Sequence, residues 1–153
     1  MSPSGVLVVV DYAHSPDSLE KILIAVGEVK EKIGKLITIF GCGGDRDSLK
    51  RPKMGKLGAS MSDVAIFTAD NPRSEDPEKI LEDMQTGLSQ DDLKKVKVIS
   101  NRREAIRAGV ALAQKGDILL VAGKGHETYQ EVKGVRSHFD DMEELKRAFG
   151  VKF

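Results

Sequence analysis

Leu36–Asp47, with the sequence LITIFGCGGDRD, joins five apolar or β-branched residues to a loop that contains three glycines. A short apolar run that ends at glycines is typical of a strand buried on both faces of a parallel sheet. Parallel strands need a crossover connection of about a dozen residues or more, usually a helix. The segment therefore predicts an α/β fold.

Similar apolar runs elsewhere in the chain are separated by helical patterns. The further predicted strands are Val6–Val10, Val64–Thr68, Val96–Ile99 and Ile118–Val121. The predicted helices are Ser18–Ile33, Pro52–Met61, Pro77–Leu88 and Asn101–Gln114. The end of the chain predicts a turn or short helix around Glu127–Glu131, a strand or hairpin near Val132–Val135 and a final helix over Asp140–Phe149. This alternation indicates a Rossmann-like α/β fold, with a mainly parallel sheet of about six strands and helices on both faces.

Composition argues against several classes of partner. The 24 Lys and Arg residues balance 24 Asp and Glu residues, so no net positive field attracts nucleic acid or an anionic membrane. No run approaches the roughly 20 apolar residues of a membrane-spanning helix, and Met1–Gly5 is too short and polar for a signal peptide. The single cysteine, Cys42, agrees with a reducing cytosol. We expect one soluble domain over residues 1–153, whose Ser-Pro-Ser-Gly start suggests a cut between two domains.

Chemically distinctive residues fall in four loops that follow predicted strands. The carboxyl ends of parallel strands meet at one edge of the sheet, which is where ligands bind in such folds. Asp11 and His14 follow the first strand, and there they fit contact with a ribose, a phosphate or a metal-bound water. The other interpretation is that Asp11 ends the strand while Ser15 or Asp17 caps the next helix.

The second loop, Gly41–Asp47, resembles a phosphate cradle but lacks the Gly-Lys-Ser/Thr ending of a P-loop. Its glycines permit positive φ and close approach of a ligand, and Arg46 offers a planar fork for a carboxylate or a phosphate. The other interpretation is a flexible turn in which Arg46 pairs with Asp45 or Asp47. Cys42 is interpreted as a small packing residue.

The third loop, Asp70–Arg73, contains Pro72, which fixes its own φ and biases Asn71 toward an extended shape. A loop of set geometry suits recognition of a small molecule, although Asn-Pro also starts ordinary turns.

The fourth loop, Gly123–Glu127, exposes backbone groups at its glycines and supplies an acceptor for an ammonium group at Glu127. Its Gly-Lys-Gly is not a complete dinucleotide fingerprint, because Thr128 stands where the third glycine belongs. A zinc site at His126 and Glu127 lacks the HExxH spacing.

Taken in order, Asp11–His14, Gly41–Asp47, Asp70–Arg73 and Gly123–Glu127 resemble the corresponding loops in the C-terminal domain of the Mur ligases. The resemblance covers nearly the whole chain. It implies part of a cytoplasmic, ATP-dependent ligase that joins an amino acid to a UDP-muramoyl-peptide during peptidoglycan synthesis. It also implies that the N-terminal domain and the central domain, which binds ATP and Mg²⁺, are absent, so that this chain alone is inactive.

The resemblance further implies roles for individual residues. Those that match the family's amino-acid contacts are Arg46, Asp70, Asn71, Pro72, Arg73, Gly123 and Glu127, and those that match its nucleotide-facing loop are Asp11 and His14. No catalytic residue and no metal ligand is assigned in this domain. Arg73 favours meso-diaminopimelate as the amino acid, since lysine lacks the distal carboxylate and a buried arginine without a partner is costly.

Three other functions stay open at this point. One is a lysine-adding or cyanophycin-type ligase domain, against which the Asp70–Arg73 loop speaks. Another is a non-catalytic module that binds a nucleotide or phosphate, since the P-loop is missing. The third is a dehydrogenase, which the incomplete glycine fingerprint disfavours.

Overall fold

The computed structural model describes residues 5–30 and 34–150. The strands are β1 (Leu7–Asp11), β2 (Leu36–Phe40), β3 (Val64–Phe67), β4 (Val96–Val98), β5 (Ile118–Ala122), β6 (Tyr129–Val132) and β7 (Val135–His138). The helices are α1 (Pro16–Val29), α2 (Lys50–Met61), α3 (Pro77–Gln85), α4 (Gln90–Lys95), α5 (Arg102–Leu112) and α6 (Asp141–Phe149). None of the helices in the described ranges combines the length and the apolar composition that a membrane span requires.

Five parallel strands form the main sheet in the order β1-β5-β2-β3-β4. Every residue of β2 and β5 is buried, as their continuous apolar sequences predict. One core, formed by residues such as Leu23, Met54 and Leu81, packs α1, α2 and α3 against the sheet. The other core, which includes Ile106 and Leu145, packs α5 and α6 on the opposite face. The predicted Rossmann-like α/β fold is therefore confirmed.

The main differences from the prediction lie after β5 and before β4. The sheet has five strands rather than about six, and β6 and β7 form a separate antiparallel hairpin. The turn or short helix expected around Glu127–Glu131 is wrong from Tyr129 onward, because this segment pairs with β7 across a turn in which Lys133 and Gly134 both have positive φ. Helix α4 was not predicted, because six residues are too few to show a helical period.

Helix boundaries follow local capping chemistry. Ser15 and Ser18 form a capping box at the start of α1, so the helix-cap interpretation of the first loop is correct for Ser15. Helix α1 ends at Val29, whereas the predicted helix continued to Ile33, which lies outside the described residues. Asn101 caps α5 as its side chain accepts from the Glu104 amide.

A buried arginine joins the carboxyl ends of two strands. The Arg102 guanidinium pairs with Asp141 at 2.7 Å, and both side chains are fully buried. Its Nη1 donates to the Ala69 carbonyl at 3.1 Å and its Nη2 to the Ala122 carbonyl at 3.3 Å. These carbonyls immediately precede the third and fourth distinctive loops. Arg102 thus fixes the first residues of the third and fourth loops relative to α5 and α6.

Candidate functional site

A cavity of about 490 Å³ opens at the carboxyl edge of the sheet. It is bounded by all four distinctive loops and by the start of α2. The lining residues are Tyr12, His14, Cys42, Gly43, Arg46, Asp47, Lys50, Arg51, Met54, Asp70, Asn71, Arg73, Gly123 and Glu127. The structure therefore brings together seven of the nine predicted site residues, all except Asp11 and Pro72.

Those two residues support the cavity from outside its lining. The Asp11 carboxylate accepts from the Ala13 amide at 2.9 Å, and the Asp11 carbonyl accepts from the Gly123 amide at 3.0 Å. Pro72 is buried and borders a different groove, between Ala69 and the β6–β7 hairpin. Both residues shape loops that carry cavity residues.

The glycine-rich loop packs against its own chain. A Cβ on Gly44 would lie 1.8 Å from the Pro72 carbonyl oxygen, while the Gly44 amide donates to the Asn71 carbonyl at 2.8 Å. None of Gly41, Gly43 and Gly44 uses the positive φ that a glycine permits, since none has a φ between +20° and +160°. Their lack of a side chain instead lets the second and third loops touch.

Arg73 is held in the left-handed region of the backbone, with a φ of 54°. Its amide donates to the Glu131 carbonyl at 3.0 Å, and its carbonyl accepts from the Lys133 amide, so the β6–β7 hairpin secures this conformation. Its Nη1 donates to the Gly44 carbonyl at 3.0 Å and to the Asn71 carbonyl at 3.3 Å. Within the described part of the chain its Nε and Nη2 make no hydrogen bond, which leaves donors of the fork for a ligand.

Asn71 is buried, and its hydrogen bonds define which way its side-chain amide is oriented. Its Oδ1 accepts from the Lys124 ammonium at 2.8 Å and from the Glu131 amide at 3.0 Å. Its Nδ2 faces the Glu127 carboxylate at 3.5 Å. The amide therefore directs donors, not acceptors, toward Glu127 and the cavity.

Asp70 and Gly123 lie against each other at the ends of β3 and β5. A Cβ on Gly123, whose φ is +116°, would lie 3.0 Å from Asp70 Oδ2. Asp70 Oδ1 is buried and makes no hydrogen bond with the described residues, although the Lys124 ammonium is 3.4 Å away. The glycine thus permits close approach of a carboxylate to the backbone.

The remaining predicted residues lie at the exposed side of the cavity. Arg46 is exposed, and its Nη1 donates to the Asp45 carbonyl at 3.0 Å rather than to a neighbouring carboxylate. His14 is exposed, with Nδ1 at 2.9 Å from the Tyr12 carbonyl and its ring edge-on to the Tyr12 ring. Glu127 is half-buried, and its amide donates to the Lys124 carbonyl.

Arg51 is a cavity residue that sequence reasoning missed. It is 2% exposed, and its two terminal nitrogens pair with Glu75 at 2.7 Å and Asp83 at 2.9 Å. Burial works against its charge, but the hydrogen bonds to both carboxylates raise the pKa of Arg51. A Lys-Arg-Pro start of a helix gives no sign that its arginine is buried, because such residues are usually solvated.

Two further groups have perturbed acidity. Burial, with help from the nearby Asp70 charge, raises the pKa of the Cys42 thiol to about 12. Cys42 is buried and contacts Met54, as expected of a packing residue. Burial also lowers the pKa of Lys124, against the opposing attraction of Asp70. Among the described residues, no group of three His, Cys, Asp or Glu side chains is placed to hold a metal ion.

Comparison with known proteins gives the same family as the resemblance of the four loops, and it does so along most of the chain. Residues 1–125 match the family model described as Mur ligase, glutamate ligase domain. The UDP-N-acetylmuramoyl-L-alanyl-D-glutamate--2,6-diaminopimelate ligases of Bacteroides thetaiotaomicron and Bacteroides fragilis are 55% and 53% identical over 97% and 98% of this chain. The chain spans 31% of the length of each of these relatives.

Solved structures agree with this comparison. A ligase of the same name has a TM-score of 0.90 and 43% identity, covering 98% of this chain and 30% of its own. A murein peptide ligase from Psychrobacter arcticus, at 14% identity and a TM-score of 0.66, shares the fold.

Proposed function

Because the chain belongs to the family of Mur ligase glutamate ligase domains, we propose that it is the amino-acid-binding, C-terminal part of a diaminopimelate-adding ligase of peptidoglycan synthesis. The complete enzyme would act in the cytoplasm, join meso-diaminopimelate to UDP-muramoyl-dipeptide and use ATP with Mg²⁺. The relatives' names and their identity to this chain support the substrate assignment.

The observation that carries the proposal is that N–H donors and a carboxylate acceptor line the same cavity. Arg73 and Asn71 present N–H donors, and Arg46 adds a second guanidinium at the exposed side. Glu127 presents a carboxylate to the same space. A zwitterion with an additional carboxylate fits this distribution, since guanidinium binds carboxylates and carboxylate binds ammonium groups.

Arg73 is the residue that we propose selects diaminopimelate over lysine. The two side chains differ at their distal end, where diaminopimelate has a carboxylate as well as an ammonium group. The guanidinium of Arg73 is anchored through Nη1, so its remaining donors keep a defined direction. Lysine in this site would leave a partly buried arginine without its partner, which is the basis of strong discrimination.

We assign Mg²⁺ and the phosphate-activating step to the part of the relatives that this chain does not span. The chain lacks the Gly-Lys-Ser/Thr ending of a P-loop, which supports this assignment. Asp11 and His14 are proposed nucleotide contacts from the neighbouring loop. The task of this chain is to hold a neutral amine where it can attack the acyl phosphate, which contributes through proximity.

The proposal can be tested with a hybrid ligase. In it, this chain replaces the matching segment of the Bacteroides thetaiotaomicron relative, and phosphate release is measured with each amino acid. We expect meso-diaminopimelate to support ligation, with kcat/KM at least about 100-fold above that of L-lysine. The chain without the remaining segments should not hydrolyse ATP. A hybrid that uses L-lysine equally well would contradict the proposal.

A further inference from the structure

Lys124 is a fully buried lysine beside the cavity, not within its lining. Its ammonium donates inward, to Asn71 Oδ1 at 2.8 Å and to the Tyr129 carbonyl at 2.7 Å. Asp70 lies 3.4 Å away in a third direction. Lys124 is therefore enclosed by its own chain, and its ammonium is paired with groups of that chain.

The bonds of Lys124 determine how Asn71 is oriented. Two donors, the Lys124 ammonium and the Glu131 amide, converge on Asn71 Oδ1. A flipped amide would place its NH₂ group against both donors, so only one orientation satisfies the buried groups. In that orientation Nδ2 is 3.5 Å from Glu127 Oε1.

We propose that Lys124 is a positioning residue that sets the polarity of the amino-acid site. It holds the Asn71 amide with its donors toward the cavity, where Nδ2 lies 3.5 Å from Glu127 Oε1. The donor side then receives a carboxylate of the substrate, and Glu127 receives an ammonium group. The inference rests on the proposed function, since it explains how that site distinguishes the two ends of a zwitterion.

The test uses the hybrid ligase with Lys124→Met, which removes the ammonium and keeps an unbranched side chain. We expect KM for meso-diaminopimelate to rise roughly 10- to 100-fold, as for loss of hydrogen bonds to a charged group. KM for ATP should stay within about twofold, because Lys124 contacts only the amino-acid side. An unchanged KM for meso-diaminopimelate would overturn the inference.

Lys56→Met is the matched control. Lys56 also forms an ion pair, with Asp92, but it is half-exposed and borders none of the cavity. Both Michaelis constants should stay within about twofold of the unsubstituted hybrid, because neither Lys56 nor Asp92 lines the cavity. A rise equal to that of Lys124→Met would show that the effect is not specific to Lys124.

A double variant of Lys124 and Asn71 distinguishes a positioning role of Lys124 from a general role in stability. If Lys124 acts through Asn71, the double variant Lys124→Met, Asn71→Ala should lose no more affinity for meso-diaminopimelate than Asn71→Ala alone. If Lys124 only stabilised the fold and did not act through Asn71, the affinity losses of the two single variants would multiply in the double variant. Multiplying losses would overturn the inference.

Asn71→Asp keeps the inference testable if Lys124→Met does not fold. Its carboxylate can still accept from Lys124 and from the Glu131 amide, so we expect it to fold, with a thermal midpoint lowered by repulsion from the Glu127 carboxylate 3.5 Å away. It lacks the Nδ2 donor, so KM for meso-diaminopimelate should rise as in Lys124→Met, and a wild-type KM would overturn the inference. If the unsubstituted hybrid does not use meso-diaminopimelate, the proposed function itself fails.

Discussion

Three basic side chains near the carboxyl edge of the sheet are almost completely buried: Arg51, Arg102 and Lys124. Each pairs with a carboxylate and donates to a backbone carbonyl of a neighbouring segment. Buried charges are tolerated when they are paired and hydrogen-bonded in this way. We infer that these residues hold the loops in place, while Arg46 and Arg73 remain available to a ligand.

The Arg51 cluster predicts a pH-dependent contribution to stability. Hydrogen bonds from Arg51 and from the Asp45 amide hold the pKa of Glu75 below its usual 4.5, and hydrogen bonds from Lys79 and then from Arg51 hold the pKa of Asp83 below its usual 3.8. Carboxylates with lowered pKa in the folded state stabilise it above their unfolded pKa, and this contribution is lost as the pH falls through the folded pKa. The free energy of unfolding should therefore decrease below about pH 4.5.

Arg51→Met tests this account by urea unfolding followed by circular dichroism. At neutral pH we expect a loss of about 2–3 kcal/mol, because Glu75 and Asp83 each lose one charged hydrogen-bond partner. The decrease on acidification should be shallower than in the unsubstituted chain. An equal acid dependence in both proteins would show that Arg51 is not the cause.

At the scale of elements, loop contacts depend on missing side chains. Gly44 touches the Pro72 carbonyl, and the same glycine accepts the hydrogen bond from Arg73 Nη1. Gly44→Ala should separate the second and third loops, lower stability by about 1–3 kcal/mol and weaken amino-acid binding. Thermal unfolding and KM for meso-diaminopimelate in the hybrid would measure both effects.

Gly27→Ala is the control for this substitution. Gly27 lies within α1 and has open space where a Cβ would be added. Alanine there should stabilise the chain by about 0.5–1 kcal/mol through helix propensity and leave KM unchanged. If both substitutions weakened binding equally, the loop contact would not explain the effect of Gly44→Ala.

The elements of the sheet could be predicted because their apolar runs are buried on both faces. Strands β2 and β5 match their predicted ranges almost residue for residue. The β6–β7 hairpin was less clear, because most of its residues are only partly buried or exposed and hydrophobic periodicity is weak there. Its connection to Arg73 is a long-range contact that no local pattern reveals.

At the scale of the whole molecule, the topology explains why four separate loops could be foreseen as one site. Parallel strands place their carboxyl ends together, so glycines, carboxylates and arginines after β1, β2, β3 and β5 meet there. The sequence could not indicate which way the loop residues face. Pattern alone does not show that Lys124 turns inward, that Arg51 is buried or that Gly44 contacts the chain and not a ligand.

The central claim is that Arg73 binds the distal carboxylate, which diaminopimelate has and lysine lacks. The substitution Arg73→Asn in the hybrid ligase tests this claim most directly. Asparagine tolerates the left-handed backbone found at this position, so the change removes the guanidinium with little strain. The measurement is the ratio of kcat/KM for meso-diaminopimelate to that for L-lysine, with Arg107→Asn on the exposed surface of α5 as control. We predict a ratio at least about 100-fold lower in Arg73→Asn and unchanged in the control. A ratio that Arg73→Asn leaves unchanged would contradict the account.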